Sequence, residues 1–449
     1  MIKTVEMDLF NKKVTVIGAR KSGMAVLKLA KDRAAVLKVS EAAVSSRIPE
    51  DDMKWIKNNC FAFEFGGHTR EFIEDSDIII LSPSVSIFSD VVKWARSRDI
   101  IVLGEIEFAY QFCNKPIIAV TGTSGKTTVS TLIHSLLKNS GYTSYLCGNI
   151  GEPFSLYATE NDRDFFVVEV SSFQLESIVT DKQQQDRFSI RGFRPYISIF
   201  LNFYKNHLDR HKDMKEYFEA KKNIFFNQQK QDYAVLNFAD GSIKELASQI
   251  GATVTYFNVP NIASKVFSSG NNFTVDNSVI NNPNYSAVRV VGQILGINKD
   301  ICYEVFSKFQ GLEHRMELVG CINGVEFVND SKSTTAESAG WALSCLNKPV
   351  IMLCGGRDKG AEFRAIASLV AEKVKKMIVF GEAKDRLQYV FNKIVDIISC
   401  DSFEDAVFKA KSVAKEGDVV LLSPMCSSFD MFSNFEERGR VFKELVNSN

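Results

Sequence analysis

The sequence has no excess of charge of either sign, with 54 Lys and Arg against 54 Asp and Glu in 449 residues. A net field that would gather the chain on nucleic acid or an anionic membrane is thereby excluded, although a local phosphate site is not. No apolar run approaches the ~20 residues of a membrane span. Met1 to Phe10 lacks a basic segment followed by an apolar stretch, so a cytoplasmic location is expected. There is no C-x-x-C pair: nine cysteines (Cys60, Cys113, Cys147, Cys302, Cys321, Cys345, Cys354, Cys400, Cys426) are scattered and odd in number. That distribution argues against a disulfide framework or a zinc knuckle and for reduced thiols. A fixed-period repeat and a long low-complexity tract are also missing.

What the chain does have is an ordinary globular composition, 45% apolar and 24% charged, with ample material for a core. Its length is about three times the ~150 residues of the usual domain prior, so two or three domains are expected. Short apolar runs ending in Gly, Ser or Asn alternate with helix-length amphipathic stretches, the pattern of parallel sheets covered by helices. Three such α/β blocks can be drawn. The first holds Val14-Thr15-Val16-Ile17, Asp77-Ile78-Ile79-Ile80-Leu81 and Ile100-Ile101-Val102-Leu103. The second holds Pro116-Ile117-Ile118-Ala119-Val120, Phe165-Phe166-Val167-Val168 and Tyr196-Ile197-Ser198-Ile199-Phe200-Leu201. The third holds Val325-Glu326-Phe327-Val328, Val350-Ile351-Met352-Leu353, Met377-Ile378-Val379-Phe380 and Val419-Val420-Leu421-Leu422. Residues 258–286, rich in Asn and Ser, read as irregular strands and loops.

The sharpest motif is Thr121-Gly122-Thr123-Ser124-Gly125-Lys126-Thr127-Thr128, after an apolar strand and before a helical stretch over 129–138. Glycines let backbone wrap a phosphate, amides at the helix start point toward it, Lys126 adds charge and Thr127 can ligate Mg²⁺. Val120 stands where a strict Walker A has its first Gly, and the rival reading is a Gly-rich strand-to-helix turn. Glu169 interrupts a buried-type strand; at the carboxyl end of a parallel strand it calls for a metal ion or a buried ion pair. His207, in Asn206-His207-Leu208-Asp209-Arg210-His211, sits in the loop after another strand and is either a ligand or a structural histidine. In the helix that follows, Met214, Tyr217, Phe218, Ile224 and Phe225 form one apolar stripe at ~100° per residue. Lys221 falls inside that stripe and Lys222 at its edge. An inward lysine must snorkel, be paired, or be chemically changed; a neutral amine reacts with CO₂ to give a carbamate, turning a cation into a metal-binding carboxylate.

Taken with Val167-Val168-Glu169-Val170-Ser171-Ser172, Tyr217 to Lys221 and Gly311-Leu312-Glu313-His314-Arg315, these motifs resemble the ATP-dependent Mur ligases. Asn329-Asp330-Ser331-Lys332-Ser333-Thr334, Gly355-Gly356-Arg357-Asp358-Lys359-Gly360 and the long run from Leu421 to Gly439 resemble the branch of that family that adds D-glutamate. The resemblance implies a Rossmann-like domain over 1–105 binding the UDP of the acceptor, a central P-loop-type ATPase domain with a mainly parallel sheet over 106–311, and a C-terminal Rossmann-like domain over 312–449. The last would bind the amino acid and complete the ATP site. The implied reaction phosphorylates the L-alanine carboxylate of UDP-N-acetylmuramoyl-L-alanine with ATP, and D-glutamate then attacks the acyl phosphate, a step of peptidoglycan precursor synthesis.

The same resemblance implies residue roles. Gly122, Thr123, Ser124, Gly125, Lys126, Thr127 and Thr128 would hold ATP. Thr127, Glu169, His207 and carbamylated Lys221 would hold two Mg²⁺ ions, and Lys126, Glu169, His207 and Lys221 carry catalysis. Arg315, Asp330 and Lys332 would meet the nucleotide. Lys21, Ser22, Asn149 and Ser171 are substrate positions, with Lys21 and Asn149 at the acceptor's diphosphate or sugar. Thr334, Lys359, Ser428, Phe429 and Phe435 would surround D-glutamate. The bland rivals are an interdomain salt bridge for Arg315, a turn role for Lys359 and a helix cap for Ser428. A monomer acting on small molecules, with no nucleic-acid partner and no membrane insertion, is expected. The chain departs from the family at four places. Arg20 stands in the middle of the first glycine turn, which disfavours NAD; Asn206 replaces a common Asp, Ser84 a usual Gly and Thr335 a common Asn. Competing readings are another amide ligase, a P-loop NTPase doing conformational work, and a catalytically silent nucleotide binder.

Overall fold

The computed structural model describes residues 7–207, 210–259, 282–309, 311–358 and 360–448. It divides into two compact units, Met1–Phe309 and Gln310–Asn449. Among the described residues there are three sheets, two in the first unit and one in the second.

The first sheet comprises β1 (Lys13–Ile17), β2 (Val36–Glu41), β3 (Ala62–Phe65), β4 (Ile78–Leu81) and β5 (Ile101–Gly104). All its strands are parallel, in the order β3-β2-β1-β4-β5. Chain order reverses at β1 and β4, so their carboxyl ends open a crevice of the kind that binds ligands in doubly wound sheets. One wall is the turn over residues 18–23. It is tight: Gly18 has φ +96°, and a Cβ on Gly23 would stand 1.8 Å from the Gly18 carbonyl oxygen. The other wall follows β4, where the Ser82 hydroxyl donates to the Gly18 carbonyl over 3.1 Å.

The second sheet comprises β6 (Ile117–Thr121), β7 (Ser144–Gly148), β8 (Phe165–Glu169), β9 (Ile197–Phe200), β10 (Tyr233–Asn237) and β11 (Thr253–Phe257). It is also parallel, ordered β11-β10-β9-β6-β8-β7. Its reversal lies at β6, between β8 and β9, and the phosphate-loop motif leaves the carboxyl end of β6. One face packs on the helices Lys126–Asn139, Pro283–Ile294 and Lys299–Lys308 through Val129, Leu132, Leu136, Val288, Val291 and Phe306. The other face buries Phe154, Phe166, Phe200, Ile224 and Phe225. Helix Lys126–Asn139 starts three residues before the expected 129 because Gly125, at φ +79°, caps it directly. Residues 260–281 of the Asn- and Ser-rich stretch lie outside the described residues, and from Pro283 that stretch is helix, with Asn282 as its cap.

The third sheet comprises β12 (Glu317–Ile322), β13 (Val325–Asn329), β14 (Val350–Gly355), β15 (Val374–Phe380), β16 (Asp396–Ser399) and β17 (Val419–Met425). Its order is β12-β13-β17-β14-β15-β16, parallel except for the β12–β13 pair. The expected α/β class is therefore the observed one. All nine cysteines are unpaired; Cys113, Cys147, Cys302, Cys354 and Cys426 are buried, whereas Cys321 and Cys345 are exposed. Among the described residues no helix is long and apolar enough to cross a membrane.

Because a methyl group on Gly23 meets a backbone oxygen that cannot rotate away, Gly23→Ala is expected to destabilise the first unit by about 3 kcal/mol, the upper end of overpacking effects. Urea unfolding of the two proteins measures it; an unchanged midpoint would contradict the close helix–strand approach.

Candidate active site

The phosphate loop is shaped by groups from distant parts of the chain. The Thr123 and Ser124 amides donate to the carbonyl (3.0 Å) and the Oδ1 (2.9 Å) of Asn202, and the Asn202 Nδ2 donates back to the Ser124 carbonyl over 3.1 Å. Tyr217 OH lies 3.2 Å from Thr123 Oγ1. Lys126 Nζ is folded onto the loop, donating to the carbonyls of Gly122 (3.0 Å) and Thr123 (3.2 Å). Gly122, at φ +153°, passes so close to Leu201 that a Cβ would come within 2.9 Å of it. Thr127 is buried in the first turn of the helix.

Beneath the loop lies Lys221, 1% exposed. Its amine donates to the Gly122 carbonyl over 2.9 Å and to Thr121 Oγ1 over 3.4 Å, and sits 4.9 Å from the Tyr217 ring centre. Burial, reinforced by repulsion from Lys126 and opposed by Glu169, pushes its pKa well below 10.5. Such an amine is biased toward the neutral, nucleophilic form. The inward direction expected for Lys221 is therefore observed, while Lys222 at the stripe's edge is half-buried and pairs with Glu219. Glu169 ends β8, is 2% exposed, and accepts from Asn149 Nδ2 on Oε1 over 2.7 Å. Its Oε2 is buried with no hydrogen-bond partner. A buried carboxylate oxygen left in that state is expected to have a ligand, and a hard cation is the ligand that suits it. His207 stands at φ +54°, its ring 5.0 Å from Phe173 and 5.8 Å from Tyr217. Tyr217 thus touches the loop, Lys221 and His207 together. Among the described residues no group of three His, Cys, Asp and Glu side chains is arranged to hold a metal ion. Thr127, Glu169, His207 and Lys221 differ in chemistry, offering one hydroxyl, one carboxylate, one imidazole and one amine.

The expected substrate residues of this unit are less uniform. Asn149 does reach the site, through Glu169. Lys21 donates to the Gly151 carbonyl over 2.8 Å and pairs with Glu152 at 2.9 Å, which ties the first glycine turn to the loop after β7. Ser22 lies in the first turn of the helix Lys21–Lys31. Ser171 caps the helix Ser172–Leu175 in a reciprocal box with Gln174.

In the second unit the loops after β13, β14 and β17 converge on Arg438, which is fully buried. Its guanidinium donates to Ser331 Oγ (3.0 Å), the Ser331 carbonyl (2.9 Å), the Cys426 carbonyl (3.2 Å) and the Gly355 carbonyl (3.4 Å). Burial lowers its pKa to about 10. Other expected residues lie elsewhere in the same unit or next to its partners. Asp330 is buried and accepts from the hydroxyls of Ser333 and, over 2.9 Å, Ser423. Lys332 Nζ lies 5.6 Å from the Phe435 ring centre and Arg315 Cζ 5.6 Å from that of Trp341. Thr334 directly precedes Thr335, the cap of the helix Ala336–Ser344. Ser428 is 2% exposed, and its carbonyl accepts from the Met431 and Phe432 amides; it caps no helix, since Asn434 caps Phe435–Asn447. Phe429 is exposed at the surface. Lys359 lies outside the described residues.

Residues 120–302 match the profile of the Mur ligase middle domain and residues 314–426 that of the Mur ligase, glutamate ligase domain. A protein of Thermoanaerobacter sp. (strain X514) named UDP-N-acetylmuramoylalanine–D-glutamate ligase is 38% identical over 98% of this chain and 99% of its own. The chain belongs to the Mur ligase family. A protein of Caldicellulosiruptor saccharolyticus with the same name is 36% identical over 98% of this Mur ligase and all of its own length. Among solved structures, the MurF ligase of Thermotoga maritima in complex with ADP shares the fold at a TM-score of 0.58 and 15% identity, covering 91% of this chain and 94% of that one.

The departures from the family pattern cause no visible damage in this Mur ligase. Asn206 accepts the His207 amide on Oδ1 over 2.8 Å, a task an Asp would do equally. Ser84 is not among the residues with positive φ, so nothing there demands glycine. Thr335 caps its helix, and Thr and Asn are both good caps. Three residues that sequence reasoning left without a role also belong to the site: Asn202, Tyr217 and Asn284. The last has its Oδ1 so near the phosphate loop that a Cβ on Gly125 would meet it at 2.7 Å. An Asn two residues after a strand, facing a Gly-rich loop, was the available signal for Asn202.

Burial pushes the Asp330 carboxyl up to about 6 from 3.8, against the opposing pull of Ser333, Ser423 and Arg315. Between those values the folded state holds more protons than the unfolded one. Stability is therefore fully present below the lower value and falls as pH rises through the upper. The loss is on the order of 2–3 kcal/mol. Asp330→Asn is expected to abolish this slope, so urea unfolding of the second unit between pH 4 and 6.5 should be flatter than in the unmodified protein; equal slopes would contradict the assignment.

Proposed function

We propose that this chain joins D-glutamate to UDP-N-acetylmuramoyl-L-alanine with ATP as the driving substrate, acting as a monomer in the cytoplasm with two Mg²⁺ ions. The observation that carries the reading is the Lys221 amine, desolvated beneath a phosphate loop and beside a glutamate with an orphaned oxygen. A motor-type NTPase has no use for such an amine, and the near-full-length likeness to D-glutamate ligases supplies the amino acid. The free thiols fit a reducing compartment.

A carboxylate is a poor electrophile, and phosphorylation turns one of its oxygens into a good leaving group. In the proposed sequence the L-alanine carboxylate attacks the γ phosphorus and ADP leaves. The D-glutamate amine then adds to the acyl carbon, loses a proton, and phosphate departs with the C–O bond pair, leaving an amide. Lys126 exchanges its two loop carbonyls for phosphate oxygens, and the amides around Gly125 line the same anion. Thr127, Glu169, His207 and Lys221 would hold Mg²⁺, with Lys221 as the carbamate formed when its neutral nitrogen bonds to CO₂ and loses a proton. Bound there, Mg²⁺ neutralises the charge that crowds as the phosphoryl group moves. In the second unit Arg315, Asp330 and Lys332 are read as nucleotide contacts, and Thr334, Lys359, Ser428, Phe429 and Phe435 as the D-glutamate pocket. Lys21, Ser22, Asn149 and Ser171 are read with the acceptor.

Phosphate release is expected only when ATP, Mg²⁺, UDP-N-acetylmuramoyl-L-alanine and D-glutamate are all present, and Lys126→Ala should reduce it about 100-fold or more, as for loss of a transition-state donor. Release unchanged on omitting both acceptors would favour the motor reading. Lys221→Ala is expected to be folded and nearly inactive, with partial recovery in millimolar formate, whose carboxylate can occupy the vacated ligand position. Full activity of that variant without formate would remove the carbamate from the mechanism.

A further inference from the structure

The segment that carries His207 also carries a guanidinium that does not point at the phosphate loop. Arg210 reaches instead to the crevice wall after β4. It donates to the Ser84 carbonyl through Nη1 and to the Val85 carbonyl through Nη2, each over 2.9 Å. Its Nε donates to Glu176 Oε1 over 3.2 Å and its Nη2 also bonds that oxygen. Glu176 in turn accepts the Ile87 amide, so both members of the pair grip the same wall. The pair is sheltered, with side chains 14% and 7% exposed. The Arg210 guanidinium stacks 5.0 Å from the ring centre of Phe173, the ring that also contacts His207. The Arg210 and His211 amides both donate to the His207 carbonyl, over 3.1 and 2.9 Å, so Arg210 is bonded directly to His207.

The wall that Arg210 holds is one side of the switch-point crevice of the first sheet, where a doubly wound fold binds its ligand. A charge-assisted, multidentate contact is the strong and directional kind. We propose that Arg210 is a positioning residue for the acceptor substrate: it fixes residues 84–85 of the crevice wall at a set distance from the His207 turn, so that an acceptor seated in the crevice presents its carboxylate to the phosphate loop. This rests on the function proposed above. The clamp's partners, Ser84, Val85, Phe173 and Glu176, all belong to the first unit and to the crevice wall or the segment beside it, so its loss is expected to act first on the acceptor.

Calorimetric binding of UDP-N-acetylmuramoyl-L-alanine and steady-state kinetics on the full-length protein test this. Arg210→Ala is expected to raise the Michaelis constant and the dissociation constant for the UDP-substrate about tenfold or more, while those for ATP and D-glutamate stay within about twofold. Arg210→Lys should recover part of the loss, because an ammonium keeps one carbonyl and the carboxylate but not the fork. An unchanged constant for the UDP-substrate, or a parallel rise in all three, would overturn the proposal. Should Arg210→Ala fail to fold, Glu176→Gln carries the same expectation in milder form, about threefold on the UDP-substrate alone, and no change there would equally overturn it. Failure of the unmodified protein to bind the UDP-substrate at all would instead reject the functional reading, and the clamp's role with it.

Discussion

A lysine amine held out of water beneath the phosphate loop is the constraint on which the central site is built. Lys221 finds a carbonyl and a hydroxyl oxygen as hydrogen-bond partners, too little to stabilise a full charge in a dry environment. Its place therefore favours neutrality, and the surrounding groups are arranged accordingly. Tyr217 covers it from the same helix, Lys126 adds repulsion, and Glu169, a carboxylate that favours the lysine's charged form, leaves an oxygen unsatisfied. A loop bent by Gly122 and Gly125 and pinned by Asn202 keeps these groups at the carboxyl end of β6.

The second unit meets a similar problem in the opposite way. Arg438 is buried as deeply, yet its guanidinium is satisfied by backbone carbonyls and a hydroxyl from three loops. Arginine keeps its charge where lysine yields it. The result is a fixed brace: the loops carrying Asp330, Gly356 and Ser427 are tied to one side chain of the helix Phe435–Asn447. The same economy of means recurs at Arg210. In each case a fork of donors reads several carbonyls together, which fixes loops more rigidly than separate hydrogen bonds could.

The parts legible in the sequence were those written locally. The phosphate loop, the strand that ends in Glu169 and the inward face of Lys221 each follow from a few adjacent residues and a period. The fully buried strands β4, β6 and β17, and β1 beyond Lys13, are near-continuous apolar runs, as parallel strands covered on both faces must be. Strand β2 was not legible because Lys38 sits in its middle; the fold buries that lysine, 2% exposed, against the Phe72 and Asp75 carbonyls, partners more than thirty residues away. The edge strands β3, β7 and β16 are only partly covered, so their patterns are blurred. Asn202, Asn284, Arg210 and Arg438 escaped for the same reason as Lys38: their partners are brought to them by topology, and a polar residue's long-range partner leaves no local trace.

The distribution of the thiols carries a practical corollary. Burial raises the pKa of Cys113 and Cys302 to about 11 and of Cys426 to about 12, and lifts those of Cys147 and Cys354 well above the ordinary thiol value. Protonated and shielded, these five are poor nucleophiles. Cys321 and Cys345 are the exposed thiols, and both belong to the second unit. Cys345 follows the carboxyl end of the helix Ala336–Ser344, whose opposite end begins beside Thr334. A maleimide fluorophore applied to the unaltered chain would therefore react first at these two positions, one of them at the far end of a helix whose other end follows Thr334.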